Sequence, residues 1–183
     1  MRRSARAALG LALLAVMAAC GSSGTQPPVA KSSMADTADQ VASPVQWNIA
    51  DHGLLRATLA ADSAFWFDDN TRVVMRNILL RFFTQTGQPS SVLTAREGTS
   101  NARTNVMEAF GNVRVTGENG RLLTTEQLRY NKAGDQISSD SAFVFTEPGR
   151  RLTGIGFISD PAMNNIRVLR NPGGGGVFTL PGS

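Results

Sequence analysis

The chain has 183 residues, with 18 Lys and Arg against 14 Asp and Glu, a single His and a single Cys. One histidine and one cysteine leave almost no ligands for a zinc or haem site, and a lone cysteine allows no disulfide within the chain. The formal charge of +4 gathers at the start: without Arg2, Arg3 and Arg6, 15 basic residues face 14 acidic ones, interspersed and with no basic stripe to track a nucleic-acid backbone.

Residues 1–19 read as a lipoprotein signal peptide. Arg2, Arg3 and Arg6 form a basic segment, residues 7–19 are uncharged and mostly apolar, and Cys20 follows the small residues Ala18 and Ala19. At about 1.5 Å per residue this apolar run reaches roughly 20 Å as a helix, short of the ~30 Å hydrocarbon core. Met17-Ala18-Ala19-Cys20-Gly21 is similar to a bacterial lipobox, in which the cysteine becomes the acylated first residue of the mature chain. Met17 stands where Leu or Val is usual. The alternatives are an ordinary signal peptide with an incidental cysteine and a single spanning anchor. Lipidation accounts for a solitary cysteine in an exported protein.

Residues 20–46 then form the lipidated Cys20 and a disordered tether, rich in Ser, Gly, Thr, Gln, Pro and Ala with no apolar periodicity. Its end-to-end distance is about 25–30 Å, enough to hold a domain clear of a bilayer. A generic lipoprotein spacer is the plainer alternative.

Residues 47–170 are expected to make one domain built from strands. In residues 73–83 Ile78, Leu80 and Phe82 alternate with Leu79, Arg81 and Phe83; Val113 and Val115 flank Arg114; Phe143 and Phe145 share a face; Ile166 and Val168 flank Arg167. A two-residue period is the strand signal. Turn residues separate the runs at Asp68-Asp69-Asn70, Thr86-Gly87-Gln88-Pro89, Gly117-Glu118-Asn119-Gly120, Asn131-Lys132-Ala133-Gly134-Asp135 and Glu147-Pro148-Gly149. Residues 125–128 are read as strand, and residues 96–107 as two strand pieces with a turn near 99–102. Residues 171–183, with four consecutive glycines and two prolines, are expected to be a flexible tail. The glycines lack the Lys, the Ser or Thr and the helix of a phosphate-binding loop.

Catalytic and metal chemistry find little support. His52 has no Gly-x-Ser-x-Gly turn beside it. Asp68-Asp69 sits in a turn signal, which suits a turn better than a calcium site. Trp47 and Trp66 could form a sugar platform, although strand-end or core positions are the commoner use of such residues. The expectation is therefore no enzyme, no cofactor and no metal.

Two phrases repeat. Asn77-Ile78-Leu79-Leu80, Asn112-Val113-Arg114-Val115 and Asn165-Ile166-Arg167-Val168 carry one. Gly53-Leu54-Leu55-Arg56-Ala57, Ser91-Val92-Leu93-Thr94-Ala95, Arg121-Leu122-Leu123-Thr124-Thr125 and Arg150-Arg151-Leu152-Thr153-Gly154 carry the other. They alternate like the two arms of a recurring hairpin, and stacked hairpins give a long sheet with one continuous apolar face. Such a face needs a second layer, closure or a ligand.

Thr104-Asn105-Val106-Met107-Glu108-Ala109-Phe110-Gly111-Asn112-Val113-Arg114-Val115-Thr116 and Gly120-Arg121-Leu122-Leu123-Thr124-Thr125-Glu126-Gln127-Leu128-Arg129-Tyr130 strongly resemble the LptC family. The likeness runs from about Trp47 to Val168 and includes Gly154-x-Gly156-Phe157 and Asp160 six residues before Ile166. LptA proteins share the Gly-Asn-Val-x-Val element. The resemblance implies a single open, curved antiparallel β-jellyroll of the OstA/LptA kind, enclosing a greasy groove. It implies a non-enzymatic component of the lipopolysaccharide export bridge, receiving its cargo from an inner-membrane ABC transporter and passing it to an LptA-like protein. Lipid A acyl chains would contact Ile78, Leu80, Phe82, Val113, Val115, Phe143, Phe145, Ile166 and Val168, which otherwise form an ordinary dry core. The N-terminal strand around 47–59 would face the transporter, and the strands around Phe157 and 166–169 the next module. Such proteins commonly hold the inner membrane with a spanning helix. Here the expectation is a periplasmic chain held through Cys20, with the inner membrane the expected site. The alternatives are a generic periplasmic or outer-membrane lipoprotein that chaperones lipid, and a β-sandwich carbohydrate-binding module.

Overall fold

Residues 33–170 are described by a computed structural model; the proposed signal peptide, Cys20 and the Gly/Pro tail lie outside them. The strands are β1 (Gln40–Ala42), β2 (Val45–Asp51), β3 (Leu54–Ala61), β4 (Ser63–Phe67), β5 (Arg72–Phe83), β6 (Pro89–Asn101), β7 (Val106–Gly117), β8 (Leu122–Asn131), β9 (Gln136–Glu147), β10 (Arg150–Ser159) and β11 (Arg167–Arg170). A helical turn at Met34–Thr37 and a 3-10 turn at Glu118–Gly120 complete the regular elements among the described residues. Every pairing is antiparallel, in one open sheet ordered β1-β4-β5-β6-β7-β8-β9-β10-β11, with β2 beside β3 and β3 also beside β5. The described residues are thus nearly all strand, in one sheet, as the alternation predicts.

The sheet is creased. β3 covers residues 79–82 of β5, and β4 covers residues 72–76, so β3 and β4 are two legs of one strand bent at Asp62. β1 and β2 repeat the arrangement one strand further out. Further across the sheet the register slips at the same level: between Thr94 and Glu97 of β6, Phe110 and Val113 of β7, Thr125 and Arg129 of β8, and Ile155 and Phe157 of β10. Each slip is a bulge, and bulges bend strands. The bend also changes which side chains face inward. In β8 the buried set runs Leu123, Thr125, then Leu128, Tyr130; in β5 the side chains that join the apolar cluster run Val73, Met75, then Ile78, Leu80, Phe82. The change of parity keeps the apolar side chains on one side of the sheet through the crease.

The repeated asparagine now has a physical reason. Asn77 and Asn112 lie on the crease with φ of 50° and 52°. Left-handed backbone is disfavoured for most L-residues and tolerated by Asn. Asn77 donates from Nδ2 to Asp62 Oδ2 at 2.7 Å, tying two bends together. On β10 the crease falls at Gly156, with φ 74°. Where the β8–β9 ladder opens, Thr125 Oγ1 donates to Ala142 O at 2.9 Å and Ser139 Oγ to Gln127 O at 2.7 Å, satisfying carbonyls the slip leaves over. Asn112→Val should cost about 1–2 kcal/mol in urea unfolding, because a β-branched residue resists the left-handed region. Arg114→Val, two residues along and exposed, should leave the midpoint almost unchanged.

Three expectations shift. The third asparagine phrase differs from the others: Asn165 and Ile166 lie in the connection before β11, which starts at Arg167. The turn within residues 96–107 falls at 102–105 rather than 99–102, because the β6–β7 ladder continues to Asn101↔Val106. The sheet begins at Gln40, inside the stretch assigned to the tether. Its three-residue edge strand is too short to show an alternation, and pairing of Gln40 with Trp66 and Ala42 with Ala64 supplies the order.

The crease folds the sheet into a V. Its first arm holds β2, β3 and residues 78–83, 89–95, 113–117, 122–125, 143–147 and 150–155. The second holds β1, β4, β11 and the other halves of β5 to β10. Phe82 and Tyr130 stand on β5 and β8, three strand spacings apart, roughly 14 Å on a flat sheet at ~4.8 Å each. Their ring centroids are 5.0 Å apart, which requires the arms to face each other.

Candidate lipid-binding interior

The space between the arms is filled by one apolar cluster. From the first arm come Ile78, Leu80, Phe82, Val113, Val115, Phe143 and Phe145; from the second-arm side come Ile166 and Val168. All nine residues expected to line a groove are buried and belong to this cluster. The second arm adds Met75, Ala109, Leu128, Tyr130, Ile137 and Phe157, which the sequence reading missed. The alternation of β8 would have found Leu128 and Tyr130 had the parity change at the crease been anticipated.

Three aromatic pairs join arm to arm. Trp47 meets Trp66 edge-on at 5.6 Å, Phe82 meets Tyr130 at 5.0 Å and 75°, and Phe143 meets Phe157 at 5.0 Å. Edge-to-face pairs add about 0.5–1.5 kcal/mol beyond their burial. The tryptophans therefore pack on each other against the core rather than presenting a sugar platform. In this conformation the arms are closed together. The void among Leu59, Met75, Ile78, Leu80, Leu93, Leu128 and Tyr130 is about 10 Å³, room for at most one water.

Charged groups gather where the arms part. Tyr130 donates its hydroxyl to Asp135 Oδ1 at 3.1 Å. Arg56, 13% exposed, lies 4.0 Å from Asp135 Oδ2 and 4.0 Å from Asp51 Oδ2. Burial, and then the Asp135 carboxylate beside it, push the Tyr130 phenol far above its ordinary value. The folded chain therefore holds this proton more tightly than the unfolded chain, whose phenol titrates near 10. The stability this contributes is complete below about pH 10 and falls as pH rises beyond it. Tyr130 is the only tyrosine, so the titration is clean: tyrosinate absorbance should stay absent above about pH 10 while the fold persists, and appear together with alkaline unfolding.

The residues weighed for chemistry are dispersed. His52 is 92% exposed at the β2–β3 turn, with Nδ1 3.1 Å from Asp51 Oδ1. Asp68 and Asp69 form a turn with φ of 57° and 53°, and Asp68 pairs with Arg72 at 3.1 Å. Among the described residues no group of three His, Cys, Asp or Glu could hold a metal ion, and no helix is long and apolar enough to cross a membrane.

Among the described residues one bent antiparallel sheet closes on a single apolar interior. The chain matches the family described as lipopolysaccharide-assembly, LptC-related, over residues 7–172. It belongs to that family, and so to the proteins of lipopolysaccharide transport. Among solved structures it is similar to LptH from Pseudomonas aeruginosa, the LptA-homologous periplasmic component of the conserved lipopolysaccharide transport device. The two are 14% identical with a TM-score of 0.49, over 69% of this chain and 95% of that one. No curated protein matches.

Proposed function

We propose that this chain is the membrane-held, non-enzymatic element of the lipopolysaccharide export bridge. It takes lipopolysaccharide from an inner-membrane ABC transporter and hands it to an LptA-like module in the periplasm. The lipid A acyl chains lie between the arms, against Ile78, Leu80, Phe82, Val113, Val115, Phe143, Phe145, Ile166 and Val168. The observation that carries this reading is the uninterrupted apolar cluster enclosed by one open sheet.

The sheet ends on β1 and β2 at one side and on β11 at the other. Open edges accept further strands. In this reading the β2 edge meets the transporter, and β11 meets the next module. Cys20 carries the acyl chains that hold the protein at the inner membrane. Two or more chains give stable anchoring, since each buried methylene contributes about 0.8 kcal/mol. Cys20→Ser should therefore move the protein from the membrane to the soluble periplasmic fraction. Full retention on the membrane would point to a spanning anchor.

The function is tested with transporter proteoliposomes, ATP and a soluble LptA-like acceptor. Lipopolysaccharide should reach the acceptor only when this chain is present. Equal loading of the acceptor in its absence would overturn the proposal.

A further inference from the structure

Residues 160–166 cross the open side of the V. They leave β10 at the far end of the second arm and return as β11 on the same arm, yet they are fastened to the far end of the first. Ser91, on β6, donates Oγ to Pro161 O at 2.6 Å in a buried hydrogen bond. Arg121, just before β8, donates Nη1 to Asn164 Oδ1 at 2.5 Å. Met163 reaches the end of β7, where a Cβ on Gly117 would lie 2.8 Å from its Cε. The strap keeps its own shape: Asp160 accepts the backbone N–H groups of Asn164 at 3.2 Å and Asn165 at 3.0 Å. Met163, 2% exposed, and Ile166, fully buried, enter the apolar cluster.

We propose that this strap is a lid, with Met163 and Ile166 as its plug, and that it must swing away for a long acyl chain to enter between the arms. The inference rests on the reading of the interior as a lipid site. Three observations support it. First, the interior void is about 10 Å³, so a chain enters only after something moves. Second, on the crease side the arms are continuous strands, whereas the strap holds the first arm through three side-chain hydrogen bonds, the third from Arg121 Nη1 to Ala162 O at 3.5 Å, and one inserted methionine. A cleft of about 260 Å³ already opens along its seam, lined by Phe83, Ser90, Asp135, Pro161 and Asn165 among others. Third, closure is incomplete in its polar accounting. Met163 holds φ at 60°, an unfavourable value for a residue with a long side chain. The Ser159 hydroxyl at the root of the strap is buried with no hydrogen-bond partner among the described residues, as are Nε and Nη1 of Arg56. Unmet buried donors disfavour the state that buries them. The closed form thus carries costs that opening would relieve, which favours a ligand that binds the open one.

The test is stopped-flow uptake of a long-chain fatty acid carrying a fluorophore, by the full chain and by Ser91→Ala and Asn164→Ala. Each substitution removes one fastening from the closed form. Each should speed uptake by about fivefold, the factor expected for one net hydrogen bond, and the two together by about twenty-fivefold if they act independently. Uptake at the unaltered rate by folded variants would overturn the lid while leaving the interior a lipid site. Uptake by none of the proteins would overturn both. Methionine oxidation on the unaltered chain gives a second readout independent of any substitution. The Met163 thioether, 2% exposed in the closed form, should be oxidised faster by peroxide when the fatty acid binds, and an unchanged rate would overturn the lid.

Discussion

Phe82→Ala should destabilise the ligand-free protein by about 3–5 kcal/mol, the range for an aromatic removed from a closed core. The ring is 1% exposed and closes against Tyr130 across the arms, so its loss opens a cavity lined by both. That cavity is apolar, and an apolar cavity of this kind stays dry and accepts apolar guests. The variant should therefore bind a long-chain fatty acid more tightly than the unaltered protein. Ligand should also raise its melting temperature by more, because binding to the native state alone adds RT ln(1 + [L]/Kd). A variant that loses stability and gains no affinity would mean that the ring belongs to a core that never receives lipid.

Val115→Asp should cost roughly 3–5 kcal/mol and abolish lipid uptake. Val115 is fully buried, and the pairing Leu93↔Val115↔Leu123 places it between two aliphatic neighbours on the first arm. A carboxylate there finds no cation and must stay neutral or bring water into the cluster. Thr116→Asp, one residue along and on the exposed face, should change stability by less than about 0.5 kcal/mol. Denaturant midpoints for the pair measure the contrast directly.

The first-arm residues of the interior were legible in the sequence because each run there is short and strictly alternating. Ile78, Leu80 and Phe82, Val113 and Val115, and Phe143 and Phe145 need only a period of two to be assigned one face. The repeated phrases were legible for a related reason. Those starting at Gly53, Ser91, Arg121 and Arg150 run toward the crease on the first arm, and those at Asn77 and Asn112 run away from it. The second arm was harder to read. Inward parity changes partway along β5 at the left-handed Asn77, and along β6 and β8 at bulges, so Met75 is out of step with Ile78, and Leu128 and Tyr130 with Leu123. In the strap, periodicity found Ile166, in step with Val168, but not Met163. Met163 lies in an irregular segment, and only the fastening of Pro161 and Asn164 to the opposite arm reveals why it is buried. β1 could not be read either, since its three residues are too few for a period and take their order from pairing with β4.

In the proposed function the face buried between the arms is the one that meets lipid A. A photoreactive benzophenone amino acid placed in turn at Phe82, Val115, Arg81 and Arg114, in cells exporting lipopolysaccharide, tests it most directly. The first two side chains point into the interior and the last two are exposed on the outer face of the same strands. Lipopolysaccharide adducts should form from positions 82 and 115 and be absent from 81 and 114. Adducts from the outer positions alone, or from none of the four in a folded protein, would contradict it.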